Sequence, residues 1–338
     1  MAHLSVIGAG AWGTALSIHA SSLGHQVRLW AFEPEVIAEV NGSHRNSLFL
    51  PGIDLPPGIR ATGDVAEALG DADHFLLVVP SQHLRAVARL VAPHMPAGAI
   101  VVVAAKGIED ESLKLMSQVV AETLPAVPTA RVAFLSGPSF AREVALGLPA
   151  DVVVASEGGV AARLVQPLLH SRMFRVYAGE DPIGVQVGGA LKNVIAIAAG
   201  ACDGLGLGAN ARAGLITRGL AEITRMGVAL GANPLTFLGL AGVGDLILTC
   251  TGDLSRNRTL GRKMAEGVSA EEYLAGRRSV AEGFATAAAA HELASRLGVQ
   301  MPIGEQVFHV LHRRRSVREA FELLVARAFK DELVGLEL

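Results

Sequence analysis

The sequence predicts an α/β protein in two parts: a mainly parallel sheet domain over residues 1–180, then an all-helical domain over residues 181–338. Three observations carry this. A short apolar strand runs into a glycine-rich hexapeptide and a helical pattern at the start of the chain. Three later apolar strands end in polar or Gly/Pro motifs, and in an open parallel sheet the carboxyl ends of strands are where ligands bind. Beyond Asp181-Pro182 the apolar spacing is helical to the end.

Composition fits that frame. At 338 residues the chain can bury a large core, and aromatics are only 4% while small aliphatic residues abound. A net charge of −3 argues against general nucleic-acid binding. The two cysteines, Cys202 and Cys250, sit in apolar surroundings and read as buried free thiols of a reducing compartment. Met1-Ala2-His3-Leu4 carries no basic region, so no signal peptide is expected. Lys192 interrupts the longest apolar run, so no membrane insertion is expected. A cytoplasmic protein without a metal site is the expectation.

Taken in order, Leu4 to Ile7 is the first strand, followed by Gly8-Ala9-Gly10-Ala11-Trp12-Gly13 and a helix from Thr14 to Leu23. Glycines in that setting permit a tight turn and the close approach of a pyrophosphate to the helix N-terminus. The second strand, Val27 to Ala31, ends at Phe32-Glu33. Glu33 stands where an acid can bind the adenosine ribose, and equally reads as a helix N-terminal charge before Pro34. Phe32 is placed to pack on the adenine. Residues 41–58 read as a loop rich in Asn, Pro and Gly, including Arg45-Asn46 and Phe49-Leu50-Pro51-Gly52. The strands His74 to Val79, Ile100 to Ala105 and Arg131 to Leu135 end respectively at Pro80-Ser81-Gln82, Lys106-Gly107-Ile108-Glu109 and Ser136-Gly137-Pro138-Ser139-Phe140. Lys106 comes directly off a buried strand, which favours a function over a solvated charge. Asp151 to Ala155 and Phe174 to Tyr177 complete the sheet.

The helical half is organised around Gly188 to Gly200, a stretch apolar nearly all the way round, as in a buried helix. Lys192 and Asn193 lie within it. A buried ammonium needs a partner or a task, unless the side chain snorkels to the surface. Gly188 and Gly189, one turn earlier, let another backbone or a ligand come close. A helix over residues 212–230 and the segment Leu235 to Gly244 lead to Asp245. Ser255 is placed as the N-cap of a helix running to about Gly267, with Arg256 in its first turn. An arginine there opposes the macrodipole unless it pairs with a bound anion. Val280-Ala281-Glu282-Gly283 precedes a helix that stops at Gly298, and His312 to Arg315 reads as a solvated basic helix face.

With these motifs in this order, the chain resembles the bacterial glycerol-3-phosphate dehydrogenase family over almost its whole length. The resemblance also rests on Ser136-Gly137-Pro138-Ser139-Phe140-Ala141, Gly189-Ala190-Leu191-Lys192-Asn193, Asp203-Gly204-Leu205-Gly206, Gly242-Val243-Gly244-Asp245 and Ser255-Arg256-Asn257. It implies a Rossmann-type domain, then a helical domain, and reversible reduction of dihydroxyacetone phosphate to sn-glycerol 3-phosphate with NAD(P)H, feeding glycerophospholipid synthesis. It implies Lys192 as the proton donor or acceptor, and substrate contacts at Lys106, Gly137, Ser139, Asp245, Ser255, Arg256 and Asn257. For the cofactor it implies Ala11, Trp12, Phe32, Phe49, Lys106, Ala141, Arg256, Val280 and Glu282, beside the glycines Gly8, Gly10 and Gly13. Members that favour NADPH often place a basic residue just past the second strand, where this chain has Phe32-Glu33, so NAD is slightly favoured. A homodimer is compatible with the resemblance.

On this reading Lys192 protonates the carbonyl oxygen as hydride reaches the ketone carbon. Asp245 and Asn193 orient Lys192, and Arg256, Asn257 and the helix N-terminus hold the phosphate. Lys106 lowers the Lys192 pKa and Asp245 raises it, with the net direction left open. Two alternatives remain at this stage: a reductase of related architecture, such as one acting on β-hydroxyacids or ketopantoate, and a non-catalytic dinucleotide sensor.

Overall fold

The computed structural model describes residues 1–275 and 281–328. The chain divides into two units. The first comprises Met1–Ala105 and Met116–Pro182, and the second Lys106–Leu115 and Ile183 onward. The sequence-based boundary near residue 180 leaves Lys106–Leu115 with the sheet; by packing, that segment belongs to the helical unit.

The first unit carries one eight-stranded sheet. Its strands are β1 (His3–Ile7), β2 (Gln26–Trp30), β3 (Arg60–Thr62), β4 (His74–Leu77), β5 (Ile100–Val103), β6 (Val132–Ser136), β7 (Ala150–Ser156) and β8 (Phe174–Gly179). Their order is β3-β2-β1-β4-β5-β6-β7-β8, and every neighbouring pair is parallel except β6 with β7. The continuous apolar runs have a simple cause. β5 and β6 are buried at every residue, as parallel strands covered on both faces must be. Chain order reverses direction across β1 and β4, so the carboxyl ends of these strands flank the switch point where such sheets bind ligands.

The sequence reading missed one strand here and set one loop boundary too early. β3 is only three residues long, too short for a period-2 pattern to show. The helix Pro34–Ser43 runs into the stretch read as loop from Asn41, and stops at His44 in a left-handed conformation.

In the second unit the central helix spans Pro182–Gly204, and every residue from Gly184 to Ile197 is buried. It is long and apolar enough to cross a membrane, but 94% of its most apolar window is buried inside the protein, which marks a core helix. Its glycines admit other backbones. A Cβ on Gly188 would lie 2.4 Å from the Ala241 carbonyl oxygen, and one on Gly200 would lie 1.9 Å from that of Arg258. Around this helix stand Gly208–Ala229, Asp245–Thr251, Arg256–Ala265, Glu282–Leu297, Pro302–His312 and Val317–Val325. The basic run His312 to Arg315 is not a helix face. His312 ends a helix, Arg313 caps it, and Arg314 takes a left-handed turn toward the next one.

Candidate active site

In the first unit, the glycine loop joins β1 to the helix Ala11–Ser22. Each glycine has its own reason. Gly8 holds φ +119°, and a Cβ there would press on the Val78 carbonyl oxygen at 2.7 Å. A Cβ on Gly13 would fall 1.9 Å from the Gly8 oxygen. Gly10 is different: a Cβ there meets nothing within 4 Å. Gly8 and Gly13 therefore build the turn, and Gly10 keeps its outer side open. No side chain caps the helix that follows, so its first turn is left for an anion. The Trp12 indole N–H is buried with no partner among the described residues. This cradle fits a dinucleotide pyrophosphate.

Asn46, inside the sequence-read loop, anchors the region. Its buried amide donates to the Ala9 carbonyl and to Thr14 Oγ1, both at 2.8 Å, and its oxygen accepts from the Phe49 N–H at 3.2 Å. That ties Phe49 to the glycine loop. Phe32, at the end of β2, is 80% exposed and presents a free aromatic face, while Glu33 caps the helix Pro34–Ser43 through its backbone only. Arg45 is occupied by Asp54 at 2.7 Å. At the end of β6, Gly137 takes φ +129°, where a Cβ would meet the Val152 backbone at 2.9 Å, and Ser139 Oγ donates to the Gly137 carbonyl. Ala141 opens a short helix that packs on Ala11–Ser22.

The second unit holds a cluster of charge. Asp245 is 1% exposed. Lys106 Nζ donates to its Oδ2 at 2.8 Å, and Lys192 Nζ donates to its Oδ1. Lys192 also donates to Thr249 Oγ1 at 3.0 Å. Thr249 stands one helical turn after Asp245, on the same face, and its hydroxyl donates back to the Asp245 carbonyl at 2.6 Å. Lys192 is thus no snorkelling side chain; it is buried and paired. Burial lowers its pKa most, Asp245 pulls it up, Lys106 pushes it down, and the result is about 8. Burial pushes the Asp245 carboxyl up, but Lys106 and Lys192 together hold it below the usual carboxylate range. Cys250 is a buried thiol raised to about 12, mainly by burial, and is inert on that account.

Asn193 does not bond Lys192. Its oxygen accepts from Asn257 Nδ2 at 2.9 Å, and the Asn257 oxygen accepts from the Gly283 N–H at 3.1 Å. Ser255 caps the helix Arg256–Ala265 by accepting the Arg258 N–H at 3.2 Å. Arg256, in the first turn, is exposed and makes no hydrogen bond or ion pair among the described residues. Glu282 opens the next helix, beside the Asn257 ladder. Val280 lies outside the described residues.

The structure therefore collects Lys106, Lys192, Asp245, Asn193, Ser255, Arg256, Asn257 and Glu282 in the helical unit, and Gly8 to Gly13, Phe32, Glu33, Phe49, Gly137, Ser139 and Ala141 in the sheet unit. Thr249 escaped the sequence reading, which takes Asn46 only as part of a loop. Thr249 carried one signal, its four-residue spacing from Asp245. Among the described residues, no group of three or more His, Cys, Asp or Glu could hold a metal.

Two family models match the chain. The N-terminus of NAD-dependent glycerol-3-phosphate dehydrogenase matches residues 3–162, and its C-terminus matches residues 181–322. A glycerol-3-phosphate dehydrogenase [NAD(P)+] of Citrifermentans bemidjiense is 51% identical over 329 residues, covering 97% of this chain and 98% of the relative. A glycerol-3-phosphate dehydrogenase [NAD(P)+] of Geobacter sulfurreducens is also 51% identical, with the same coverage. The crystal structure of glycerol-3-phosphate dehydrogenase from Coxiella burnetii superposes with a TM-score of 0.92 at 38% identity, covering 96% of this chain and 99% of that one. A ketopantoate reductase from Ralstonia eutropha shares the fold alone, at a TM-score of 0.59 and 17% identity.

Proposed function

The chain belongs to the NAD-dependent glycerol-3-phosphate dehydrogenase family and is an NAD(P)-dependent oxidoreductase; on that premise we propose that Lys192 is its acid-base group and that Ser255, Arg256 and Asn257 hold the phosphate of dihydroxyacetone phosphate. One observation supports the first assignment above the rest: a buried ammonium with a pKa of about 8, held by Asp245 and Thr249. A lysine so tuned can give a proton near neutral pH and take it back in the reverse direction.

When bound, the nicotinamide supplies hydride to the ketone carbon. The protein's own residues do the rest. Lys192 Nζ gives its proton to the carbonyl oxygen as negative charge develops there, leaving the neutral amine. Lys106 and Asp245 flank that event: Asp245 holds both ammonium groups in place, and Lys106 adds positive potential toward the substrate. Arg256, exposed at a helix N-terminus with no acidic residue in its first turn, offers a forked donor to the phosphate, with first-turn N–H groups beside it. Gly137, Ser139 and Glu33 complete the proposed substrate and ribose contacts. The same proposal includes supply of sn-glycerol 3-phosphate to glycerophospholipid synthesis in the cytoplasm.

A homodimer is part of the proposal. Supporting it is an apolar cavity of about 1080 Å³ in the helical unit, lined by Leu215, Val228, Ile303, Val310, Phe321 and Leu324. Light scattering on the purified chain tests this, and a strictly monomeric mass refutes it.

The activity test follows NADH and NADPH absorbance with dihydroxyacetone phosphate. Arg256→Ala should raise KM for that substrate by about 10²-fold, the scale of a lost charge-assisted pair. Unphosphorylated dihydroxyacetone should be little affected. Equal losses with both substrates refute the phosphate assignment.

A further inference from the structure

Asp203 belongs to none of the groups assigned above, yet it is tied to them. It sits in the last turn of the central helix, with its side chain 15% exposed. Arg258 Nε and Nη2 both reach its Oδ2 at 2.8 Å, and Arg212 Nη1 reaches its Oδ1 at 2.7 Å. Each carboxylate oxygen thus serves a different arginine from a different helix. The third nitrogen of Arg258, Nη1, pairs with Asp253 at 2.8 Å, but Asp253 is 91% exposed and that link is weak. The Asp203–Arg258 link is largely shielded, since the Arg258 side chain is only 12% exposed.

The position of Arg258 makes this consequential. It lies two residues beyond Arg256, and its N–H is the one that Ser255 caps. Its side chain therefore anchors the first turn in which the proposed phosphate ligands lie. Contact between the two helices is backbone on backbone. A Cβ on Gly261 would fall 1.9 Å from the Ile197 carbonyl oxygen, and one on Gly200 falls as close to that of Arg258. Small tilts are thus easily transmitted. Two polar fasteners set the tilt: Asn193 with Asn257 on one side, and Asp203 with Arg258 on the other. From Lys192 to Asp203 is about 16 Å along the axis, so Asp203 cannot touch the reacting atoms.

We infer that Asp203 is a positioning residue for phosphate recognition: it fixes the first turn of the helix Arg256–Ala265 against the helix carrying Lys192, and so sets substrate affinity without taking part in proton transfer. The inference rests on the proposed phosphate role of Ser255, Arg256 and Asn257.

The test compares Asp203→Asn and Asp203→Glu with Arg256→Ala in the full-length enzyme. Four quantities are read: KM for dihydroxyacetone phosphate, kcat, NADH affinity by fluorescence and melting temperature. Asp203→Asn should raise KM about tenfold, as for one lost charge-assisted bond, with kcat and NADH affinity within twofold. Asp203→Glu should recover part of the loss. If Arg256→Ala is impaired but Asp203→Asn keeps its KM, the inference fails and the phosphate assignment stands. If neither variant changes KM, the phosphate assignment fails and takes the inference with it. A lower melting temperature with KM unchanged would reduce Asp203 to a structural residue and also overturn the inference.

Discussion

Replacing Lys192 by Met tests the chemistry most directly. Methionine keeps much of the volume and unbranched shape of the lysine stem, so the buried site is not opened into a cavity. What is lost is the proton. General acid catalysis is worth about 10²–10⁴-fold, so kcat should fall by at least about 10²-fold, a barrier increase of about 3 kcal/mol. Stability should change little, for two opposed reasons. Lowering the Lys192 pKa from 10.5 to about 8 represents about 3 kcal/mol of cost for keeping that charge buried, and Met removes this cost. Asp245, 1% exposed, meanwhile loses the Lys192 ammonium and keeps Lys106 at 2.8 Å. We expect the melting temperature to stay within about 5 °C of wild type. Removing a buried ammonium would by itself raise that value; the shared carboxylate moderates the gain. The pH profile has a definite sign. Below about 8 the group is an ammonium and can donate, so ketone reduction should fall as pH rises through that value, while alcohol oxidation should rise. Stopped-flow kinetics in both directions, with NADH binding and calorimetry on the same protein, covers every arm. A well-folded Lys192→Met enzyme turning over at the wild-type rate would refute the assignment.

NADH should serve at least as well as NADPH, since the acidic Glu33 stands just beyond β2 and Arg45 is engaged by Asp54; kcat/KM for both cofactors decides, and a strong NADPH preference counts against it. Gly10→Ala should fold normally yet bind NADH more weakly, whereas Gly13→Ala should fail to form a stable sheet unit, its Cβ falling 1.9 Å from the Gly8 oxygen; equal solubility and melting of the two variants would contradict this. Buried Glu222 accepts the N–H groups of Ile303 and Gly304 at 2.7 and 3.0 Å, and burial raises its pKa to about 7. A folded pKa above the unfolded value contributes stability that is complete below the unfolded pKa and lost as pH rises through the folded one. Wild type should therefore lose up to about 3 kcal/mol more than Glu222→Gln between pH 5 and pH 8; parallel melting curves at the two pH values would exclude the effect.

Much of the fold was legible because its signals are local. Buried parallel strands must be apolar throughout, and the glycine loop announces its turn. What escaped depended on distance in the chain or on brevity. β3 has three residues, too few for an alternating pattern to show, and its place is set by its parallel pairing with β2. Thr249 is an ordinary helical threonine until Lys192, 57 residues away, donates to it. Lys106–Leu115 follows a sheet strand in sequence, and nothing local says that it packs with helices instead. Asn193 beside Lys192 invited a direct role, but neighbouring residues on a helix point in different directions. Its partner is Asn257.

Charge shows the same division between composition and place. A net charge of −3 argues against a general affinity for polyanions, yet it says nothing about a pocket. In the helical unit one buried carboxylate faces two ammonium groups, and Arg256 stands unpartnered among the described residues on a helix packed against the one that carries Lys192. Those four side chains carry more positive than negative charge. Glu282 also acts on Lys192, and on the proposed function a phosphate ester offsets the positive charge that remains. Asp245 then has a second effect beyond orienting Lys192. By holding both lysines it keeps their charge fixed within the helical unit. Preorganised charge of this kind needs no rearrangement when negative charge develops on the oxygen. Without Asp245, Lys106 would press on an already strained Lys192, whose pKa would drop further below about 8. On the proposed mechanism, the proton for ketone reduction would then be missing at neutral pH.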